Sequence, residues 1–188
     1  VIKKDLFGDH NIVFVNYFIE KRDRNQLGEH RLRGSRTLKV IDTKRGARDY
    51  SKEIAGWLRD EISNSRTVLV PFPSTNKFKA KSKQLPFILV KHLCRMNAKW
   101  VNGSGCLGRR YSLAKNTRNA TLQFRSLRCN NPDLIRGQDV TLIDDVVTTG
   151  SSMRAGLKAL SLYSPSAVRG LAIAKKVRAQ EIPLTGIY

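Results

Sequence analysis

Hydrophobic and polar positions along this chain follow two alternating periods. Between residues 12 and 19, Val13, Val15, Tyr17 and Ile19 fall on one side of an extended backbone and Ile12, Phe14 and Phe18 on the other, which predicts a strand covered on both faces. The charged stretch 20–34 reads as a loop. Residues 37–42 predict a second short strand, so the first 46 residues would form a hairpin-like appendage, or hood. From Ala47 the period lengthens: Tyr50, Ile54, Trp57, Leu58 and Ile62 recur at spacings of three and four, marking one face of an amphipathic helix that Asn64 and Ser65 end. Residues 67–70 form a short apolar strand and 71–76 a loop. Residues 85–98 form a second helix, with Pro86 tolerated in its first turn, and Trp100 and Val101 a brief strand.

The Gly-rich, basic stretch 102–119 shows neither period and reads as a long mobile loop of functional character. Residues 140–143 form a buried strand. Met153, Leu157 and Leu160 make a helical stripe that Pro165 closes, and 168–174 form a further buried strand. Strands alternating with helices imply an α/β fold, a parallel sheet flanked on both faces by helices. A length of 188 residues with 40% hydrophobic positions suits one globular core, taken as 47–188, carrying the 1–46 appendage.

Charge changes the picture. Thirty-five Lys and Arg face fifteen Asp and Glu, a formal net charge of +20, which points to polyanionic partners. From residue 62 to 132 there is no acidic residue, and the basic side chains there are interleaved with Phe78, Trp100, Tyr111 and Phe124, the footprint of an RNA or DNA contact. Cys94, Cys106 and Cys129 are too few and too widely spaced for a zinc site, and reduced, structural thiols are expected. His10, His30 and His92 are scattered, with His92 a packing residue of the second helix, and Trp57 and Trp100 read as core. No apolar run reaches eighteen residues and no signal segment opens the chain, so a cytoplasmic protein without membrane association is the expectation.

The chemistry concentrates in Val140-Thr-Leu-Ile-Asp144-Asp145-Val-Val-Thr148-Thr149-Gly150-Ser151-Ser152. An apolar strand delivers two carboxylates, and a small hydroxylated turn then opens a helix. The helix N-terminus offers free N–H groups and a positive dipole, Thr148, Thr149, Ser151 and Ser152 add hydroxyls, and Gly150 lets the backbone come close, so a phosphate fits there. Carboxylates at a strand's carboxyl end lie at the ligand crevice of an α/β sheet, where they can accept hydrogen bonds from vicinal sugar hydroxyls. Together the parts describe a ribose 5-phosphate site.

This run resembles the phosphoribosyl pyrophosphate motif of type I phosphoribosyltransferases, in versions similar to the ComF-like and orotate branches. Val68-Leu-Val-Pro-Phe-Pro73-Ser74 likewise resembles the first core strand and pyrophosphate loop of ComF-like members, with a basic run from Lys77 following. The resemblance spans residues 47–175 and implies a type I phosphoribosyltransferase-like sheet. Asp144 and Asp145 would hold the ribose ring, and Thr148 to Ser152 the 5-phosphate. Pro73, Ser74, Thr75 and Lys77 would bind the pyrophosphate. A flexible loop carrying Arg109, Arg110, Lys115 and Arg118 would close over the site, with Arg109 and Arg110 stabilising the leaving charge. Magnesium would be held mainly through the substrate, with no direct protein ligand. The chain departs from the family in lacking the Cys-rich zinc segment of ComF-like proteins and in carrying Lys81-Ser-Lys-Gln84 in place of a Gly-Phe-Asn-Gln stretch. Thr148 stands where 6-oxopurine salvage members carry an Asp, which disfavours hypoxanthine or guanine as acceptor. The acceptor is left open, as is a homo-oligomer or larger complex. The alternative reading is a catalytically silent phosphoribosyl pyrophosphate sensor or effector subunit that binds RNA or DNA, as a regulator or within a retron-type defence complex.

Overall fold

Continuous apolar runs make the central strands, because both faces of the sheet they form are covered. In this computed structural model the described residues are 3–7, 10–19, 36–114, 117 and 119–177. A six-stranded sheet runs in the order β1-β2-β8-β7-β3-β4, built from β1 (Lys3–Phe7), β2 (His10–Ile19), β3 (Thr67–Pro71), β4 (Trp100–Asn102), β7 (Asp139–Val147) and β8 (Ala167–Val177). All neighbours pair parallel except β1, which pairs antiparallel with β2 at one edge. The helices are α1 (Arg36–Arg45), α2 (Ser51–Arg59), α3 (Leu85–Met96), α4 (Ala120–Ser126) and α5 (Ser151–Ser161). A separate antiparallel ribbon joins β5 (Leu107–Arg109) to β6 (Leu127–Cys129).

The two-residue period of the strands sorts the core into two layers. Val68, Val70, Val140 and Leu142 face Met153, Leu157 and Leu160 of α5, while Leu69, Ile143, Leu171 and Ile173 face Ile54 and Leu58 of α2 and Leu89 and Leu93 of α3. The expected helices and core strands are therefore present, on both faces of a mostly parallel sheet.

Two expectations are corrected. Residues 37–42 are not a strand but the body of α1, whose Val40 and Ile41 are both buried although adjacent in sequence, a placement a helix permits and an alternating strand does not. The partner of the opening strand is instead β1, and β2 itself joins the main sheet beside β8. The stretch 102–119 is also not one long loop: β5 lies within it, and α4 follows directly. Three-residue strands are too short to show a period, and burial of Cys106, Leu107 and Leu127 in the α5 layer holds the ribbon. Among the described residues no helix is long and apolar enough to cross a membrane.

Gly156 sets how closely α5 approaches the sheet. A Cβ there would stand 2.6 Å from a Leu142 methyl and 2.8 Å from the Phe72 ring. Gly156→Ala is therefore expected to lower the thermal midpoint, because overpacking costs about 1–3 kcal/mol and outweighs the roughly 1 kcal/mol that alanine adds to helix propensity. Differential scanning calorimetry checks this, and an unchanged or raised midpoint would contradict it.

Candidate active site

The site lies at the carboxyl ends of β3 and β7, where two adjacent parallel strands stop and the chain turns outward. A cleft of about 280 Å³ there is lined by Lys44, Pro73, Ser74, Thr75, Lys79 and Gln84 on one side and Asp144, Asp145 and Ser152 on the other, over Phe72, Leu85 and Pro86. Of the residues expected at a ribose phosphate site, the structure thus brings Pro73, Ser74, Thr75, Asp144, Asp145 and Ser152 to one cavity.

Beyond Val147 the chain passes the exposed Thr148 and Thr149 to Gly150, whose φ of +75° is the left-handed conformation that favours glycine. Gly150 is the residue that precedes the first turn of α5. Its own carbonyl accepts from the Arg154 N–H at 2.8 Å, and the Thr149 and Ser151 hydroxyls lie 3.0 Å apart. No side chain caps this helix start, so its first N–H groups are not taken up by a capping side chain.

The acidic pair is half-buried and held by its own backbone. Asp144 Oδ1 accepts from the Asp145 N–H at 2.8 Å and Asp145 Oδ1 from the Val146 N–H at 2.7 Å. Lys44 Nζ of α1 reaches Asp145 Oδ2 at 2.6 Å. Burial first, and the Asp145 carboxylate second, push the Asp144 carboxyl up to about 7, against the opposing pull of its backbone hydrogen bond, Lys44 and Arg109.

Facing the acids, the loop after β3 is fastened by a residue that sequence reasoning passed over. Gln84, buried just ahead of α3, accepts from the Ser74 N–H at 2.8 Å and donates through Nε2 to the Lys79 carbonyl at 2.7 Å. One amide thereby fixes both ends of the loop. Lys77, expected at the pyrophosphate, instead donates to the Arg110 carbonyl at 3.0 Å and does not line the cleft, whereas Lys79 does. Lys44 carries no signal of its own in the sequence: it lies just past the expected strand at 37–42, and it is the last turn of α1 that brings it to the cleft.

The expected loop cations are placed differently from that expectation. Arg109 ends β5 and is only 6% exposed. Its Nε donates to the Ser74 carbonyl at 3.3 Å, its Nη1 bonds the Ser126 hydroxyl, and its guanidinium stands 5.2 Å from the Phe72 ring centroid. Its Nη2 has no hydrogen-bond partner among the described residues. Desolvation lowers this guanidinium to about 10, which leaves it charged at neutral pH. Arg109 is therefore a positioning residue that ties the β5–β6 ribbon to the Ser74 turn and sets a buried positive charge near Asp144. Arg110 donates to the Leu127 carbonyl at 3.2 Å and does not line the cleft. Lys115 and Arg118 lie outside the described residues. Burial holds the Cys94 and Cys106 thiols near 11, and His92, lowered chiefly by burial, lies 3.1 Å from the Ser51 hydroxyl, away from the cleft.

No family model and no curated protein matches the chain. Among solved structures it is similar to a hypoxanthine-guanine phosphoribosyltransferase from Bacillus anthracis, at 15% identity and a TM-score of 0.39 over 79% of this chain and 74% of that one. It is also similar to a hypoxanthine phosphoribosyltransferase from Trypanosoma cruzi, at 16% identity and a TM-score of 0.44 over 79% and 74% of the two chains. A Staphylococcus aureus hypoxanthine phosphoribosyltransferase overlaps at 12% identity and a TM-score of 0.41, over 80% of this chain and 86% of that one. Overlaps of this degree assign neither substrate nor reaction to this chain.

The raised Asp144 carboxyl has a pH signature. The folded protein binds a proton there that the unfolded chain has already released, so this contribution to stability is present at low pH and is lost as pH rises from about 4 to about 7. Asp144→Asn keeps the acceptor for the Asp145 N–H and removes the ionisation. Its thermal midpoint relative to wild type is expected to be roughly 10 °C higher at pH 8 than at pH 4. Scanning fluorimetry at the two pH values checks this, and a relative midpoint that falls with pH would contradict it.

Proposed function

We propose that the cleft binds phosphoribosyl pyrophosphate and that the protein is a phosphoribosyltransferase-type enzyme, nearest in its motifs to ComF-like members, transferring phosphoribose to an acceptor. The observation that carries this reading is the placement of Asp144, Asp145 and Ser152 across one cleft from Pro73, Ser74 and Thr75, with the left-handed Gly150 turn opening α5 alongside. In this reading Asp144 and Asp145 accept from the ribose 2- and 3-hydroxyls. The α5 N-terminus with Thr149, Ser151 and Ser152 holds the 5-phosphate. The Ser74 turn, fastened by Gln84, receives the pyrophosphate beside the Lys79 ammonium.

The bond from C1 to the pyrophosphate oxygen breaks with its electron pair leaving on the pyrophosphate, and an acceptor nucleophile forms the new bond to C1. The carboxylates beside the ring stabilise the positive charge that develops there, and a fixed loop costs little reorganisation as it takes up the leaving group. Among the described residues no group of three or more His, Cys, Asp or Glu side chains could hold a metal. Asp144 and Asp145 are the only carboxylates among the described residues that line this cleft, beside neutral hydroxyl and amide oxygens, a donor set that fits magnesium held mostly by substrate oxygens and water. When bound, it neutralises charge on the pyrophosphate. Of the segment expected as a hood, β2 belongs to the main sheet, and α1 supplies Lys44, which reaches Asp145 at the cleft.

A second reading, a catalytically silent sensor, is favoured by one observation: Arg109 and Arg110 are engaged in packing and backbone contacts rather than facing the cleft. Pyrophosphate release separates the two, since the sensor binds without releasing it.

With magnesium and phosphoribosyl pyrophosphate at a hundred times its dissociation constant, the thermal midpoint is expected to rise by about 5–10 °C, the equivalent of about 2.7 kcal/mol. Ribose 5-phosphate alone and pyrophosphate alone, each filling half of the cleft, should give smaller shifts at the same concentration. Equal shifts with all three, or none with the complete ligand, would contradict the assignment.

A further inference from the structure

The cleft does not end at Lys79. It continues into a depression of about 330 Å³ with which it shares Lys44, Lys79, Leu85 and Asp145, and to which Arg45 and Lys83 are added. Across Ser82 and Ile88 this second depression adjoins a third, of about 340 Å³, lined by Lys81, Lys91 and Arg95 together with Asn102 and Ser104 at the β4 edge of the sheet. The three form one trough from the candidate active site to the sheet edge.

The charge of this trough is one-sided. Arg45, Lys79, Lys83, Lys91 and Arg95 are all exposed and have no ion pair among the described residues. The two outer depressions contain a single carboxylate, Asp145, and Lys44 already neutralises it at 2.6 Å. Lys91 and Arg95 are one helical turn apart on α3, which places their charges side by side. Lys81 is anchored to the Ser104 carbonyl at 3.0 Å, so one wall of the trough is bonded to the β4 edge. Next to Lys79 stands Phe78, 82% exposed, with the Lys77 ammonium 5.2 Å from its ring centroid. A large aromatic ring held in water, one residue along the chain from Lys79 at the head of this row of unpaired cations, offers the pairing of base stacking and phosphate contact by which proteins hold single strands.

We propose that this trough is a docking groove for single-stranded nucleic acid, its phosphates following Lys79, Lys83, Lys91 and Arg95 and a base stacking on Phe78. Charges spaced along the rim of a curved trough favour a flexible strand over a flat anionic bilayer, and the exposed ring favours a partner with planar bases over an acidic peptide. The basic segment expected to meet RNA or DNA thereby narrows to one face. Of the aromatic residues interleaved with it, Trp100 is buried and donates to the Ser63 carbonyl at 2.9 Å, and Phe124 packs against the α5 layer, so neither is available for stacking. The groove shares Lys79 with the cleft, while Lys83, Lys91 and Arg95 do not line the cleft and test the groove independently of the phosphoribosyl reading.

The test is fluorescence anisotropy of a labelled twenty-nucleotide single strand, oligo-U or oligo-dT, titrated with the full chain at several salt concentrations. Wild type is expected to bind. The triple variant Lys83→Ala, Lys91→Ala, Arg95→Ala should bind at least tenfold more weakly, with the slope of log affinity against log salt reduced by about two, since each phosphate contact on a single strand contributes about 0.7. Phe78→Ala should lose about tenfold. A control of equal charge loss on other surfaces, Arg66→Ala, Arg125→Ala, Arg128→Ala, should stay close to wild type. No binding by wild type, equal losses in the two triple variants, or tighter binding of duplex DNA or phosphatidylserine vesicles than of the single strand would overturn the proposal.

Discussion

A carboxylate at the half-buried end of a central parallel strand, with a second one beside it, is costly to ionise, and the surroundings of Asp144 are arranged around that cost. Asp144 and Asp145 end the apolar run of β7 between β3 and β8, so neither can move away without disturbing the middle of the sheet. Their charge is offset from two sides. Lys44 approaches from α1 and pairs with Asp145, while Arg109 arrives from the β5–β6 ribbon and acts on Asp144 at longer range. Both cations come from outside the central strands, which gives α1 and the ribbon an electrostatic reason to dock where they do. The balance stays incomplete, and Asp144 keeps its raised affinity for a proton. A site in this state gains from a ligand that donates hydrogen bonds to the ionised acids, as a sugar diol does.

The same economy of parts governs the opposite wall. Gln84 and Arg109 both contact the Ser74 turn, one through its N–H and the other through its carbonyl. A buried amide and a buried guanidinium thus hold a loop that has little secondary structure of its own. Phe72 lies beneath, touched by the guanidinium and close to the place where Gly156 lets α5 approach. Sheet, helix, ribbon and loop therefore meet at one aromatic ring, and a change in any of them is felt at the cleft.

What the sequence made legible follows from length of pattern. The strand of 140–143 with its acidic pair and glycine turn, the α2 and α5 stripes and the buried helix after Pro86 all carry enough periodic positions to declare themselves. The β5–β6 ribbon does not, because three residues per strand show no period, although Asn119 ahead of α4 is a capping signal that accepts from the Leu122 N–H at 3.0 Å. Residues 37–42 alternate by chance, and the packing of Val40 and Ile41 overrides the local preference of Thr37 and Val40 for a strand. Arg109 was legible as a functional cation but not as a buried one, since burial comes from the long-range pairing of its strand with Leu127. Lys44 and Gln84 had no local signal at all: each acts on a residue far away in the chain.

If the acidic pair and the turn opening α5 form a ribose phosphate site, phosphoribosyl pyrophosphate must bind there and depend on both carboxylates. Calorimetric titration of phosphoribosyl pyrophosphate with magnesium into wild type and into the Asp144→Asn, Asp145→Asn variant tests it most directly. Saturable one-site binding by wild type is expected, and its loss in a variant that remains folded. Equal binding by both proteins, or no binding by folded wild type, would contradict it.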